Sequence, residues 1–301
     1  MDQALPERTR SEPLQPSIDI RPVAGRIGAE LGGIDLAGSL SDATVAAILS
    51  LLVQYKVIFF RDQQLDDDAH EAFAARLGAP LRHPTVPPAP GSTFLFPLDS
   101  KDGVSANEWH TDITFLPAFP AASILRALVI PPFGGDTLWA NTATAYAELP
   151  APVRTMADGL RAVHSNAHDY AAHYADSSAD NIANMSSTFA QTVYETEHPV
   201  VHVHPISGEP ALLLGGFVKR IVGLRHEDSA AIYQLLQNQI SRPENCVRWR
   251  WRVGDVAIWD NRSSQHRAVA DYGDARRVLR RATIAGQVPV DIFGASSRVI
   301  S

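Results

Sequence analysis

Two short stretches, far apart in the chain, hold residue types that could do chemistry together: Trp109-His110-Thr111-Asp112 near the middle and Gln265-His266-Arg267 close to the end. Two neutral imidazoles and one carboxylate on one face of a metal leave the opposite face open, which is the donor set of non-haem Fe(II) oxygen chemistry. On an extended strand, residues i and i+2 share a face. The spacing therefore predicts that His110 and Asp112 grip one ion together, with His266 supplied by a neighbouring strand. An isolated His-x-Asp is common and carries little by itself. His70, His164, His168, His173, His202, His204 and His226 read as solvated or structurally satisfied. The pair gains weight from its setting: Gly135-Asp136-Thr137-Leu138-Trp139 follows it, Gly254-Asp255-Val256-Ala257-Ile258-Trp259-Asp260-Asn261-Arg262 leads into His266, and Arg277, Arg280 and Arg281 come after.

The elements that must position these groups can be read from periodicity and punctuation. Residues 18–23 alternate as a first strand. Ser41 or Asp42 caps a helix whose Val45, Ile48, Leu49 and Leu52 form one apolar stripe. Residues 57–60 are a fully apolar, buried strand. Residues 66–77 are a second helix, with acids in its first turn and Gly78 at its end. Residues 80–101, rich in Pro and Gly, are expected to form a covering loop. Strands follow at 121–130 and 137–140, Asn141 caps a short helix, and 152–158 is another. Residues 165–193 hold no sustained period, which predicts a lid. Further strands are expected at 199–204, 211–214, 247–251, 256–259 and 278–285, with an amphipathic helix over 227–240. There is no βαβ alternation, no phosphate-binding Gly-rich loop and no repeat. Many short strands with turn signals predict a mainly β sandwich or barrel decorated by helices. Residues 1–16, with Pro6, Pro13 and Pro16 among charges, are expected to be a disordered or loosely ordered arm. Residues 17–301 are expected to be a single domain, because the metal candidates come from both halves.

Composition sets outer bounds. A chain of 301 residues that is 45% hydrophobic and 20% charged can fill a real core. A net charge of −7 argues against a nucleic-acid partner. The lone Cys246 cannot form an intrachain disulfide and reads as an inert, buried thiol. No apolar run approaches the roughly 20 residues of a membrane span, and the first residues are polar and Pro-rich instead of leader-like. A cytoplasmic, reduced setting and no membrane partner are expected. A homo-oligomer, dimer or tetramer, is expected on the general habit of soluble enzymes.

Taken together, Trp109-His110-Thr111-Asp112, Gly134-Gly135-Asp136-Thr137-Leu138-Trp139, Trp259-Asp260-Asn261-Arg262 with His266-Arg267-Ala268, and Arg277-Val278-Leu279-Arg280-Arg281-Ala282-Thr283 resemble the taurine dioxygenase family of Fe(II)/2-oxoglutarate-dependent dioxygenases. The resemblance runs from about Ile18 to the C-terminus. It implies a double-stranded β-helix, the jelly-roll or cupin-like core, with flanking helices and a lid insertion. It implies Fe(II), 2-oxoglutarate and O2 as the reacting partners of a small anionic organic substrate. Carried over by position, His110, Asp112 and His266 are the metal ligands, and Thr137 and Arg277 hold the distal carboxylate of 2-oxoglutarate. A guanidinium suits that role because it pairs with a carboxylate in two prongs. His83 and Arg281 match the groups that meet the substrate's sulfonate.

Two positions depart from the taurine pattern. Ala106 stands where the taurine enzyme has an Asn, and Val86 where it has a Tyr. A buried ammonium without partners costs several kcal/mol, so the anion end of the pocket is kept and the other end suits hydrocarbon, with Pro87, Pro88, Phe94, Phe96 and Phe115 as possible lining. That combination resembles the alkylsulfatase branch, as do His83-Pro84-Thr85-Val86-Pro87, Ala106-Asn107-Glu108 and the terminal Ser297-Arg298-Val299-Ile300-Ser301. The implied reaction is hydroxylation of the carbon next to a sulfate ester, giving an aldehyde and inorganic sulfate, with succinate and CO2. A sulfonate or an aryloxyalkanoate is the alternative substrate. A non-catalytic β-barrel with a structural metal is the alternative from another class, although structural sites are usually closed by four protein ligands.

Overall fold

The computed structural model describes residues 18–84, 86–102, 106–168 and 193–300. In chain order the strands are β1 (Asp19–Pro22), β2 (Ala29–Gly32), β3 (Val57–Phe60), β4 (Pro80–Leu81), β5 (Phe96–Asp99), β6 (Ala122–Val129), β7 (Thr137–Asn141), β8 (Arg161–Ser165), β9 (Glu195–Pro199), β10 (Val201–Val203), β11 (Pro210–Leu212), β12 (Val218–Ile221), β13 (Cys246–Trp249), β14 (Val256–Asp260), β15 (Ser264–Ala268), β16 (Val278–Ile284) and β17 (Arg298–Val299). The helices are α1 (Asp42–Tyr55), α2 (Asp67–Leu77), α3 (Thr142–Ala147), α4 (Ala151–Asp158) and α5 (His226–Ile240).

A major sheet runs β1-β2-β3-β14-β6-β16-β4, with β5 also on β16. A smaller sheet, β13-β7-β15, shares a core with it, and two further sheets are β12-β8-β9-β17 and the pair β10-β11. This is the expected jelly-roll core with helices outside it. β3 shows why its sequence is apolar throughout. Val57 and Phe59 point into the space between the sheets, with Trp139, Trp249, Trp259 and Leu279. Ile58 and Phe60 point the other way, towards Ile48 and Leu52 of α1 and Phe73 of α2. A strand covered on both faces reads as a continuous hydrophobic run. Phe59 stacks on Trp249 at 4.0 Å between centroids and meets Trp139 edge-on at 5.4 Å. Truncating such a ring to Ala costs about 3–5 kcal/mol.

The helices start where side chains can cap them. Ser41 Oγ accepts from the Thr44 amide at 3.1 Å, and Asp66 accepts from the Ala69 amide at 2.8 Å. Asn141 Oδ1 accepts from the amides of Ala143 and Thr144. Of the stripe on α1, Val45, Ile48 and Leu52 are buried and Leu49 is half-buried.

Several expectations need correction. The stretch 80–101 is not all loop: β4 and β5 lie within it and pair with β16. Pro97 in β5 masks the strand pattern, but an edge strand tolerates a residue with no N–H. Strands β8, β9 and β12 also appear where none was expected, each short and placed by its neighbours in a small sheet. The expected arm at 1–16 and most of the expected lid at 165–193 lie outside the described residues. No described helix is long and apolar enough to cross a membrane.

Candidate metal centre and co-substrate clamp

His110, Asp112 and His266 come together, all buried, with one donor atom from each within 4.8 Å of the others. Nε2 of His110 and of His266 stand 3.9 and 3.8 Å from Asp112 Oδ1. Ligands about 2.1 Å from a common ion stand about 3–4 Å apart, so these spans suit a small divalent cation. The two histidines are brought together by the backbone. His110 and His266 form an isolated antiparallel bridge, amide to carbonyl at 3.0 and 2.8 Å, which adds His110 to the edge of β15. Gly215 (φ +111°) makes room for this: a Cβ there would sit 3.0 Å from the His110 Cα and 2.9 Å from the Trp109 carbonyl.

Asp112 does not reach the site as expected. The chain leaves the extended conformation after His110 and turns, so Asp112 is not on a strand. Ile113 adopts φ +52°, a conformation that a β-branched residue takes only at a cost of about 1–3 kcal/mol. Side chains fix the turn from several sides. The Asn261 Oδ1 accepts the Asp112 amide at 3.3 Å and the Trp259 indole N–H at 2.9 Å. Ser123 on β6 donates to Asp112 Oδ2 at 2.6 Å. Thr111 donates to the Ser264 carbonyl at 3.0 Å. Thus Asp112 is tied to the major sheet and His266 to the smaller one, and the site sits between the layers.

The electrostatics suit coordination. Burial holds both His110 and His266 below the ordinary imidazole range, so both are neutral and able to ligate. Nδ1 of His110 donates to the Glu108 carbonyl at 2.8 Å, which leaves the Nε2 lone pair for an ion. Burial pushes the Asp112 carboxyl up, but the Arg281 guanidinium, with the Ser123 hydroxyl, more than offsets it, and the group stays ionised. Arg281 donates directly to Asp112 Oδ1.

A second cluster lies nearby. Arg277 is buried, its Nε donates to the Gly135 carbonyl at 2.8 Å, and its guanidinium meets Thr137 Oγ1 at 3.2 Å. Among the described residues no carboxylate forms an ion pair with it, and burial pulls its pKa down to about 10. A buried guanidinium without a counter-anion is costly, and an oxo-diacid tail would supply the missing charge. Thr137 Oγ1 also accepts the Trp251 indole N–H at 2.9 Å, so its own proton is available to a ligand. Gly135 (φ +70°) lies against this cluster, where a Cβ would meet Arg277 Cδ at 3.1 Å.

The substrate candidates gather around Phe96. His83 stacks on its ring at 5.0 Å, and the Arg281 guanidinium lies 5.0 Å from the ring centroid. Burial and Arg281 lower the His83 pKa to about 3, so this ring is neutral. Its Nδ1 accepts the Val86 amide at 3.2 Å, which puts the ring proton on Nε2 as a donor. Val86, Pro88, Phe94 and Phe96 line a small cavity with His83. Ala106 lies beside β15, its carbonyl accepting the Ala268 amide at 2.8 Å. Phe115 belongs to a different wall, with Ile113 and Phe217. Thr85 lies outside the described residues.

Sequence reasoning missed Ser123, Phe217 and Glu71. Phe217 stands edge-on to His110 at 6.1 Å, and nothing in its sequence setting marks it. Of the histidines read as solvated or structurally satisfied, His70, His164, His202 and His204 are buried; His164 Nδ1 lies 2.9 Å from the Thr114 hydroxyl and His204 Nε2 2.9 Å from Asp260 Oδ2, as structurally satisfied rings do.

Residues 19–283 match the profile described as "Taurine catabolism dioxygenase TauD, TfdA family". Over 282 residues, 93% of this chain and 94% of the relative, the sequence is 56% identical to an "Alpha-ketoglutarate-dependent sulfate ester dioxygenase" of Pseudomonas putida. It is 51% identical over 278 residues, 92% of this chain and 88% of the relative, to an "Alkylsulfatase" of Acinetobacter baylyi. The fold superposes on a crystal structure of a taurine dioxygenase from Burkholderia xenovorans with a TM-score of 0.81 at 39% identity, covering 95% of this chain and 97% of that one.

Proposed function

The chain belongs to the taurine catabolism dioxygenase TauD, TfdA family, and from that premise we propose that it oxidises the carbon next to a sulfate ester at the buried centre formed by His110, Asp112 and His266. The protein is an Fe(II)- and 2-oxoglutarate-dependent dioxygenase. The observation that carries the reading is the pairing of a three-donor centre with a buried guanidinium at Arg277 that forms an ion pair with no carboxylate among the described residues. An alkyl sulfate is the favoured substrate class because two relatives, 56% and 51% identical, are named a sulfate ester dioxygenase and an alkylsulfatase.

When bound, Fe(II), 2-oxoglutarate and O2 supply the oxidising power: the oxo acid becomes succinate and CO2, one oxygen atom enters the C–H next to the ester oxygen, and the hydroxylated ester collapses to an aldehyde and hydrogen sulfate. His110, Asp112 and His266 would hold the iron, two neutral nitrogens and one anionic oxygen. Arg277 and the Thr137 hydroxyl would grip the distal carboxylate of the oxo acid and fix its orientation. Arg281 would provide the positive charge for the sulfate group, and the neutral His83 would donate from Nε2. Val86, Phe94 and Phe96 would take the hydrocarbon next to that anion, and Ala106 would leave the far end of the pocket without a polar anchor. Holding the reacting carbon in one place is the chain's own contribution to rate.

The experiment is anaerobic loading with Fe(II) and 2-oxoglutarate, then O2 with a panel of organic anions. Substrate-dependent succinate with release of sulfate from alkyl sulfates is expected. Release of sulfite from a sulfonate, or phenol from an aryloxyalkanoate, at higher kcat/KM would move the assignment to that substrate. Failure to form succinate with any anion would remove the oxygenase reading.

We read residues 17–301 as one domain, since His110 and His266 come from distant parts of the chain. A homo-oligomer, dimer or tetramer, is proposed with support from the exposed Ile206, Phe293 and Val299, and sedimentation velocity tests it. A cytoplasmic setting fits the Cys246 thiol, which burial pushes up to about 11 and so keeps protonated; cell fractionation tests it.

A further inference from the structure

Ile113 is strained one residue beyond Asp112, and the contacts that hold it come from a part of the chain with no role in the chemistry so far described. The Thr114 carbonyl accepts from Nε2 of His198 at 2.7 Å, and the Phe115 carbonyl accepts the Thr196 hydroxyl at 2.8 Å. The Thr114 hydroxyl stands 2.9 Å from His164 Nδ1. His198 and Thr196 lie on β9 and His164 on β8, so two adjacent strands grip the turn. Both β9 contacts are to backbone carbonyls, and they fix the chain direction just after the strained residue.

His198 is also held from behind. A neutral ring that donates from Nε2 must accept at Nδ1, and the Ser297 hydroxyl lies 2.6 Å from that nitrogen. Ser297 opens the terminal strap. β17 pairs with β9, and Arg298 reaches Glu197 at 2.8 Å. Arg161 on β8 reaches Glu197 at 2.6 Å and the Ser296 carbonyl at 2.8 Å, and the Ile300 amide donates to the Glu195 carbonyl at 2.8 Å. The terminal segment that stood out in the sequence therefore ends its work on one imidazole, whose other nitrogen touches the metal turn.

We propose that His198 is a positioning residue for the metal centre: braced by Ser297, it pins Thr114 and so keeps the strained turn at Ile113, and with it the Asp112 carboxylate, in place for a divalent cation. The inference rests on the metal-centre reading above. Strain of this kind persists only where neighbours over-determine the backbone, and groups behind metal ligands commonly shift affinity by about 10–100-fold.

The test uses the full chain and Mn(II) alone, titrated by calorimetry, with thermal unfolding measured in parallel. His198→Gln keeps a donor near the Nε2 position, whereas His198→Asn keeps only an acceptor near Nδ1. His198→Asn is expected to bind Mn(II) about tenfold more weakly and His198→Gln within about twofold of the parent, both in line with outer-shell effects. Ser297→Ala is expected to fall between them, about threefold weaker, at a nearly unchanged Tm. Equal Mn(II) affinity in His198→Asn and the parent overturns the proposal. If His198→Asn does not fold, Ser297→Ala decides, and parent-like affinity there overturns it. Asp112→Ala separates the two readings: parent-like Mn(II) binding in that variant would mean that the metal centre itself is misassigned.

Discussion

Asp112 is where charge, strain and coordination meet. One oxygen accepts from Ser123 and the other from Arg281. Removing the carboxylate leaves Arg281 buried without its partner, and Asp112→Ala is expected to abolish both metal binding and succinate formation; retained turnover would contradict the ligand assignment. At the clamp, charge-assisted hydrogen bonds are worth about 1.5–3 kcal/mol each. Arg277→Met is therefore expected to raise the KM for 2-oxoglutarate by roughly 10–100-fold, while the affinity of the metal-free protein for Mn(II) stays within about twofold. A steady-state titration of the oxo acid beside a metal titration checks both halves. The donor types at these positions were legible in the sequence, because coordination and carboxylate binding demand particular side chains. Ser123 was not, since a lone serine in a strand has no pattern to betray it.

Among the elements, the turn over residues 92–95 shows how a distant helix shapes the substrate wall. Glu71 on α2 accepts from the Ser92 hydroxyl and from the amides of Thr93 and Phe94 at 2.7 and 2.6 Å. Burial pushes the Glu71 carboxyl up, but Ser92 and the amides of this turn hold it net below its ordinary value. That carboxylate fixes the turn that carries Phe94 and leads into β5 with Phe96. Glu71→Ala is expected to raise the KM for a long-chain alkyl sulfate about tenfold, the loss of roughly one such bond, with the KM for 2-oxoglutarate unchanged. A parallel rise in both KM values would show general loosening instead. Strong periodic elements such as α1, α2 and β3 could be read in advance. The segments β5, β8, β9 and β12 could not, because each is extended only where a neighbouring strand offers it an edge.

For the whole molecule, the buried histidines set the response to acid. Burial lowers His70 and His83 from about 6.5 to about 3, and His198 and His202 to about 4. Below pH 6.5 the unfolded chain binds protons at these positions and the folded chain does not, so stability falls as pH falls. Each such group forfeits about 1.4 kcal/mol per pH unit, and four of them together rival a total stability of about 5–15 kcal/mol within one to three units. Cooperative unfolding is therefore expected as the pH falls from about 5.5 towards 4. A Tm that stays flat down to pH 4 would mean that these rings are hydrated in solution.

The sequence by itself determined the chemistry on offer: two imidazoles, a carboxylate and arginines able to meet an anion. Those follow from residue type, which folding does not change. Only the tertiary structure decided how Asp112 is delivered, through a strained turn at Ile113 held from β8 and β9, and that Arg281 rests on Asp112 while sharing Phe96 with His83. The contacts from β8 and β9 to the turn and from Arg281 to Asp112 join residues 50 to 169 positions apart, and local spacing carries no record of which distant group will arrive to hold a turn or balance a charge.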